Sequence, residues 1–442
     1  MIKLPEQVNK AICLLKNSGF EAYAVGGAVR DCLLGKVPFD WDITTSARPE
    51  ETEKVFCGER IIETGIKHGT VTVIIDDMPL EITTYRIDGD YTDHRHPQTV
   101  SFSDNLRDDL SRRDFTINTL CCNCDDKIID AFGGKDDLNN KIIRCVGDPD
   151  TRFSEDALRI MRAVRFSAEL GFTIEKSTSD SILKNRQLLS DVSKERLQVE
   201  FTKLITGKYA TDVIRKYHAV IEVFIPELAP LIECEQHTKY HKYDVFEHTL
   251  HAVDAIDFNG RILRLTMFFH DFGKPDAKTT DENGTSHFKG HAVISEKKTR
   301  DILKRLKFDN NTINEVSKLV LIHDMKSPRD KIQAKKMMCS LGDEAYLNLI
   351  KIKRADNMAK ADPHAIDEKL KNMRSFYEEI KINNECYNLK SLAVNGDDIK
   401  AFGIAEGKEI KSSLDFLLNG VIEGKCQNRK DELLEYLKEN TK

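Results

Sequence analysis

A chain of 442 residues exceeds one ordinary hydrophobic core, so two to four domains are expected. With 40% hydrophobic and 32% charged residues, no run of about 18 uncharged apolar positions and no signal-peptide pattern, membrane spans are excluded and a cytoplasmic protein is expected. The net charge of −6 excludes indiscriminate polyanion binding as the whole activity, while local basic segments around Arg159 and Lys194 can still follow a phosphate backbone.

Up to about residue 145, short strand-like runs at 22–25, 70–75, 80–85 and 128–131 alternate with helical stretches, which predicts a mixed-sheet domain. Within it, residues 26–42 carry the most information. Gly26 and Gly27 form a tight turn after the first strand, and 29–34 begin a helix. Backbone amides without Cβ obstruction, beside a helix N-terminus, can approach phosphate oxygens, and Arg30 adds a positive fork. Asp40 and Asp42 are two apart in a strand-like segment, so both carboxylates leave one face about 7 Å apart at Cα, a spacing suited to bridging Mg²⁺. Trp41 then points to the opposite face and serves packing.

Further along, Arg112-Arg113-Asp114 precedes what reads as an alternating strand, Phe115-Thr116-Ile117-Asn118. By itself this is a salt-bridged turn. The eleven cysteines are scattered and expected to be reduced; Cys121 and Cys124, with Cys122 beside them and no second pair at zinc spacing, read as buried strand residues.

From Ser154 onward helical periodicity dominates, as in 195–205 and 314–323, with breaks at 226–230 and 383–388. The expected fold class is α+β: a small mixed-sheet head (1–145), then an extended all-helical neck (146–230), body (231–382) and tail (383–442). Near the start of the neck, Asp156 and Arg159 are i, i+3 neighbours if helical, so an acceptor and a donor sit side by side. The bland account is an intrahelical ion pair. A base edge offers another: cytosine and adenine present an amine donor beside a ring-nitrogen acceptor and match the pair, whereas guanine and uracil mismatch both partners. Each buried mismatch costs about 1–3 kcal/mol.

The ordered set Gly26-Gly27-Ala28-Val29-Arg30-Asp31, Asp40-Trp41-Asp42, His68-Gly69-Thr70, Arg112-Arg113-Asp114-Phe115-Thr116-Ile117-Asn118, Asp130-Ala131-Phe132-Gly133-Gly134, Glu155-Asp156-x-x-Arg159 and Ser193-Lys194-Glu195-Arg196 resembles the template-independent nucleotidyltransferases of the DNA polymerase beta superfamily. It is specifically similar to the bacterial class II CCA-adding tRNA nucleotidyltransferases and their poly(A) polymerase relatives. The resemblance implies a nucleotidyltransferase head in which Asp40 and Asp42 hold two Mg²⁺, one lowering the pKa of the tRNA 3′-hydroxyl and the other stabilising pyrophosphate. Glu81 is then either a third metal-site carboxylate or an ordinary exposed strand glutamate. Gly26, Gly27, Arg30 and Arg113 hold the triphosphate, Arg162 and Arg165 help, Asp114 lies near the ribose, and Asp156 with Arg159 is the template that chooses CTP, then ATP. Asp108, Asp109 and Arg112 could equally be structural. Alanine at 131 replaces the family's proline, which costs rigidity, not chemistry. The last neck motif is a helix capped by Ser193 that braces the site.

Eight of the 13 histidines fall between His237 and His323, and their order resembles the HD-domain metal-dependent phosphohydrolases. That resemblance implies His248, His270, Asp271, His291, His323 and Asp356 around one or two divalent ions, a transition metal or Mg²⁺, with His241, His251 and His287 as bystanders. The tail from Leu392 to Asn428 resembles Gram-positive-type CCA-adding enzymes and implies a tRNA-elbow contact. The implied partners are tRNA, CTP and ATP, with no membrane, and a homodimer through the histidine block as a further expectation. Alternatives are a CC-only or A-only enzyme, a poly(A) polymerase, which Arg86 to His96 disfavours for lack of a basic Gly-Arg-Arg-Phe-type segment, and an HD phosphohydrolase that uses the head to bind RNA.

Overall fold

The computed structural model describes residues 2–66, 69–89, 99–125, 127–404 and 407–440. His68, residues 90–98, which make up most of the segment weighed against a poly(A) polymerase, and residues 405–406 of the tail lie outside the described residues. The chain separates into two compact units, Met1–Ala229 and Pro230–Lys442. Its fold is α+β, with a mixed sheet in the first unit and helices dominating the remainder.

In the first unit α1 (Glu6–Asn17) buries Val8, Ala11, Ile12 and Leu15, the i, i+3, i+4, i+7 stripe that lets a helix lie on a sheet. It packs on β1 (Ala22–Val25) and β2 (Asp42–Thr45), which are linked through α2 (Gly27–Leu33). α3 (Pro49–Val55) is followed by β3 (Arg60–Gly65), β4 (Thr70–Ile75) and β5 (Met78–Thr84). β4 buries Val71, Val73 and Ile75, the period-2 signature of a half-buried strand. β6 (Arg86–Asp88) and β7 (Val100–Phe102) pair separately, and β8 (Cys121–Cys122) and β9 (Ile128–Ile129) close the main sheet. Among the described residues seven strands join in the order β3-β4-β5-β2-β1-β8-β9. Only β2 and β5 run parallel in it, and their register sets Asp42 opposite Glu81, while antiparallel β1 sets Asp42 opposite Val25.

Two local readings change. β2 begins at Asp42, so Asp40 lies in the exposed lead-in before the strand, not within it, because the preceding Pro38 cannot donate to a ladder. After α4 (Leu106–Ser111), the expected alternating strand is a 3₁₀ turn, Thr116–Asn118. The turn is favoured because it lets the Asn118 amide donate to the Asp114 carboxylate at 2.9 Å, an i, i+4 contact no strand could make. α5 (Gly134–Asn139) starts where a Cβ on Gly134 would lie 2.2 Å from the Thr116 carbonyl oxygen, so only glycine permits this packing.

β10 (Ile142–Ile143) pairs in parallel with β11 (Thr173–Ile174). Around them stand α6 (Pro149–Glu155), α7 (Leu158–Leu170), α8 (Lys176–Asn185), α9 (Lys194–Ile205) and α10 (Ala210–Ile221). Ser193 is the N-cap residue of α9, but its side chain makes no capping hydrogen bond; Glu195 supplies a favourable charge to the first turn instead.

The second unit begins at a 3₁₀ segment, Pro226–Leu231, straddling the boundary. α11 (Val245–Asp254), α12 (Arg261–Phe269), the short α13 (Lys274–Ala277), α14 (His291–Arg305) and α15 (Asn310–Ile322) are followed by α16 (Lys331–Leu341), α17 (Asp343–Met358) and α18 (Asp367–Ile382). α11 packs on α12 and α17, and α15 packs on α12 and α14. α19 (Gly396–Ala401), α20 (Lys408–Ile422) and α21 (Lys430–Asn440) gather around Ile399, Leu417, Leu418 and Leu433. Among the described residues no helix is long and apolar enough to cross a membrane. All eleven cysteines are free.

Candidate active site

The turn after β1 brings the opening motif together. Gly26 has φ +83°, which side-chain-bearing residues rarely adopt, and a Cβ there would meet Arg113 Nη1 at 3.2 Å and Asp42 Oδ2 at 3.8 Å. The missing side chain thus makes room for a guanidinium beside a carboxylate. Asp42 is surrounded by charge: burial, helped by Glu81 and Asp40 and opposed by Arg113, raises its carboxyl to about 6. Two further carboxylates act on Asp42, with one cation beside it, and the site is short of positive charge.

Arg113 reaches Asp109 Oδ2 at 3.4 Å, and fully buried Asp109 also pairs with Arg112 at 2.7 Å and accepts from Thr44 Oγ1 at 2.9 Å. Asp109 is therefore the buried anchor that aims both arginines. Asp108 accepts from Ser103 Oγ at 2.6 Å and steadies the start of α4.

Behind this lies a chain of polar contacts. Arg30 donates to Asn118 Oδ1 at 2.7 Å and pairs with Asp31 at 2.8 Å; Asn118 donates to Asp114; Asp114 pairs with Arg162 at 2.7 Å. Burial alone would raise the Asp114 carboxyl, but the Arg162 charge and the Asn118 amide hold it well below the usual carboxylate range. Arg30, Arg162 and Arg165 all lie over the Phe166 ring, at 4.9, 5.4 and 3.8 Å from its centroid. Arg165 is committed elsewhere as well, to Glu169 at 2.8 Å and Glu200 at 2.6 Å, and its side chain is almost wholly buried.

Asp156 and Arg159 do not form the expected pair. Asp156 terminates α6 in extended conformation (φ −133°, ψ 101°), and α7 starts only at Leu158, so the two residues do not share a helix. Asp156 pairs with Arg196 of α9 at 3.0 Å, and Arg159 pairs with Glu155 at 2.9 Å and donates to the Arg112 carbonyl at 2.8 Å. The sequence motif hides these partners because Arg196 and Arg112 are remote along the chain.

Three family patterns cover most of this architecture: "Poly A polymerase head domain" at residues 22–144, "Probable RNA and SrmB- binding site of polymerase A" at 171–232, and "tRNA nucleotidyltransferase domain 2 putative" at 279–437. The CCA-adding enzyme of Bacillus velezensis is 34% identical over 424 residues, 96% of this chain and 95% of that protein. The chain belongs to the CCA-adding enzyme family. The CCA-adding enzyme of Lactobacillus helveticus is 32% identical over 99% of this chain and 98% of its own. A crystal structure of the Bacillus stearothermophilus CCA-adding enzyme in complex with CTP superposes with a TM-score of 0.75 at 30% identity, covering 98% of this chain and 96% of that one. The Thermotoga maritima CCA-adding enzyme complexed with tRNA shares the fold at a TM-score of 0.64 and 21% identity, over 100% and 97% of the two chains. As a family member the chain is a tRNA nucleotidyltransferase.

This CCA-adding enzyme family member also has a second polar cluster. α11 supplies His248, the end of α12 His270 and Asp271, α14 His291, the end of α15 His323 and α17 Asp356. Ligand atoms of His248, His270 and Asp271 lie within 4.8 Å of one another, as do those of Asp271, His291 and His323. Asp271 thus joins the two groups, with Nε2 of His270 at 3.1 Å and of His291 at 3.4 Å. Asp356 accepts from His248 at 2.9 Å. Burial and the nearby His270 charge push His323 down to about 3, leaving it neutral.

The adjoining cavity, about 300 Å³, is also lined by Lys274, Lys289, Lys360, His241 and His287. Two of the presumed bystanders, His241 and His287, therefore face the cluster's cavity, while His251 stacks on Tyr243 away from it. The sequence marks two of these lysines by spacing, Asp271/Lys274 at i+3 and Asp356/Lys360 at i+4, and gives no such signal for Lys289.

Proposed function

We propose that the first unit performs template-independent addition of C, C and A to the tRNA 3′ end from CTP and ATP, with the carboxylate cluster at Asp42 as its metal site. The observation that carries this is Asp42 itself: a half-buried carboxyl raised to about 6 beside Glu81 and Asp40, close to Gly26 and Arg113. Such an excess of negative charge fits a hard divalent cation such as Mg²⁺. When bound at Asp40 and Asp42, with Glu81 in reserve, it would favour deprotonation of the attacking 3′-hydroxyl and stabilise pyrophosphate as it leaves. Arg113 and the Gly26-Gly27 turn hold the triphosphate. Arg30 supports them from behind, by fixing Asn118 and through it Asp114 and Arg162 at the ribose side. Arg165 braces α7 against α9 through Glu200.

Asp156 and Arg159 read the base, and each must exchange its present partner for a base edge. The assay uses labelled CTP and ATP with Mg²⁺ and tRNAs ending before CCA, after the first C and after CC. Stepwise completion of all three supports the reading; extension of only some would indicate a CC-only or A-only enzyme, and ATP-only extension without length control a poly(A) polymerase.

A second reading concerns the histidine cluster, proposed as an HD-type metal-dependent phosphohydrolase site. Imidazole nitrogens and carboxylates converging on Asp271 fit one or two divalent ions, and three lysines in the cavity suit a phosphate group. Bound metal there would supply an activated water. Metal content of the purified protein, with release of phosphate from phosphate esters, tests it; no metal and no release would remove the reading.

A further inference from the structure

Phe166 of α7 is a buried ring whose nearest neighbours are cations. The guanidinium carbon of Arg165 lies 3.8 Å from its centroid, that of Arg30 4.9 Å and that of Arg162 5.4 Å. The Phe115 ring meets it edge-on, with centroids 5.8 Å apart and planes at 87°. Arg162 and Arg165 share α7 with the ring, but Arg30 comes from α2 and Phe115 directly precedes the 3₁₀ turn of the head. Phe166 therefore sits where the helix that follows Gly26 meets the first long helix of the neck.

Each arginine has a carboxylate of its own. Arg30 pairs with Asp31 at 2.8 Å, Arg162 with Asp114 at 2.7 Å, and Arg165 with Glu169 at 2.8 Å and Glu200 at 2.6 Å. These pairs draw the three guanidiniums towards different elements, and like charges this close repel one another. The electron-rich face of an aromatic ring offsets that repulsion and gives a planar guanidinium a surface to rest on, which an aliphatic side chain does not. Arg30 and Arg165 are nearly closed off from solvent, whereas a third of the Arg162 side chain stays open. One cation of the three is thus left accessible, held in place from beneath.

We infer that Phe166 is a positioning residue for the incoming nucleotide: it fixes Arg30 of the head against Arg162 of the neck, and so sets the triphosphate turn relative to the ribose side of the site. The assignment rests on the transferase reading above. Buried among its arginines, Phe166 acts through them on CTP and ATP alike and takes no part in choosing the base.

The test is steady-state extension by the full chain, with CTP on tRNA ending before CCA and ATP on tRNA ending after CC. F166L keeps apolar bulk and removes the aromatic face, whereas F166Y keeps the face. F166L is expected to raise the KM for CTP and for ATP together, about fivefold, with kcat and the primer KM unchanged, and F166Y to restore both. Because the effect runs through Arg30, F166L should add less than about twofold to the KM of R30K. Should F166L fail to fold, as judged by denaturant melts, F166M carries the same comparison. A wild-type nucleotide KM in F166L, an equal rise in the primer KM, or independent effects of F166L and R30K would overturn the positioning role and leave the transferase reading intact. A wild-type protein that extends no primer would overturn both.

Discussion

Asp156 and Arg196 are joined by an ion pair, Nη2 to Oδ2 3.0 Å, that ties the joint between α6 and α7 to α9. Both side chains remain partly exposed, so the pair can open without leaving a charge stranded in apolar surroundings. R159A is expected to relax base choice, with measurable GTP or UTP incorporation, since half of the polar match to cytosine and adenine is lost. R196A frees Asp156 from a partner it must otherwise give up and keeps both base-reading groups, so it should lower the KM for CTP and ATP together and leave the ratio of right to wrong base nearly unchanged. Competition between nucleotides separates the two effects.

Removal of the carboxylate at the centre of the cluster should end transfer. D42A is expected to lower kcat by at least about 10³-fold at any Mg²⁺ concentration, while raising resistance to unfolding at neutral pH, because a half-buried charge among like charges is deleted. Full transfer by D42A would sink the metal assignment.

G26A tests the close approach at the turn. The left-handed-side φ costs about 1–2 kcal/mol for a residue with a Cβ, and the methyl group would crowd Arg113 Nη1. A weaker nucleotide KM alongside a modest loss of stability is expected, read by initial rates and by denaturant melts.

Asp114 sets a pH dependence. Its carboxyl is depressed in the folded protein, so its pairing stabilises the fold above the unfolded value, near pH 4, and that contribution is lost as pH falls towards the folded value. D114N should cost about 2 kcal/mol at pH 7, less than a fully buried pair because Arg162 is a third exposed. The gap between wild type and D114N should shrink below pH 4 in urea unfolding; a gap that stays constant would remove the ion pair as its cause.

For the histidine cluster, D271N should abolish divalent-metal retention, measured by elemental analysis after dialysis, because Asp271 is common to both ligand groups. H323A should remove only part of the bound metal. CCA addition by D271N is expected to match wild type, since Asp40, Asp42, Arg113, Asp156 and Arg159 all lie in the first unit.

Much of this protein is legible in its sequence. Apolar spacing marks β1 and β4, glycines mark the turn at Gly26, and the motifs announce their chemistry because phosphate, metal and base each demand particular groups at short intervals. Pairing across strands is different. That Asp42 lies opposite Glu81 follows from a parallel register between segments separated by β3 and β4, and no local spacing encodes it. The same holds for Asp156 with Arg196, for the inward commitment of Arg165, and for the convergence of four helices' ends and faces at Asp271. A side chain's type and its near neighbours are written along the chain, whereas its partner is whichever distant group burial leaves within reach. The sequence by itself thus determined the kinds of chemistry present, and tertiary packing decided which charges meet, because electrostatic and hydrogen-bond energies depend on distance in space.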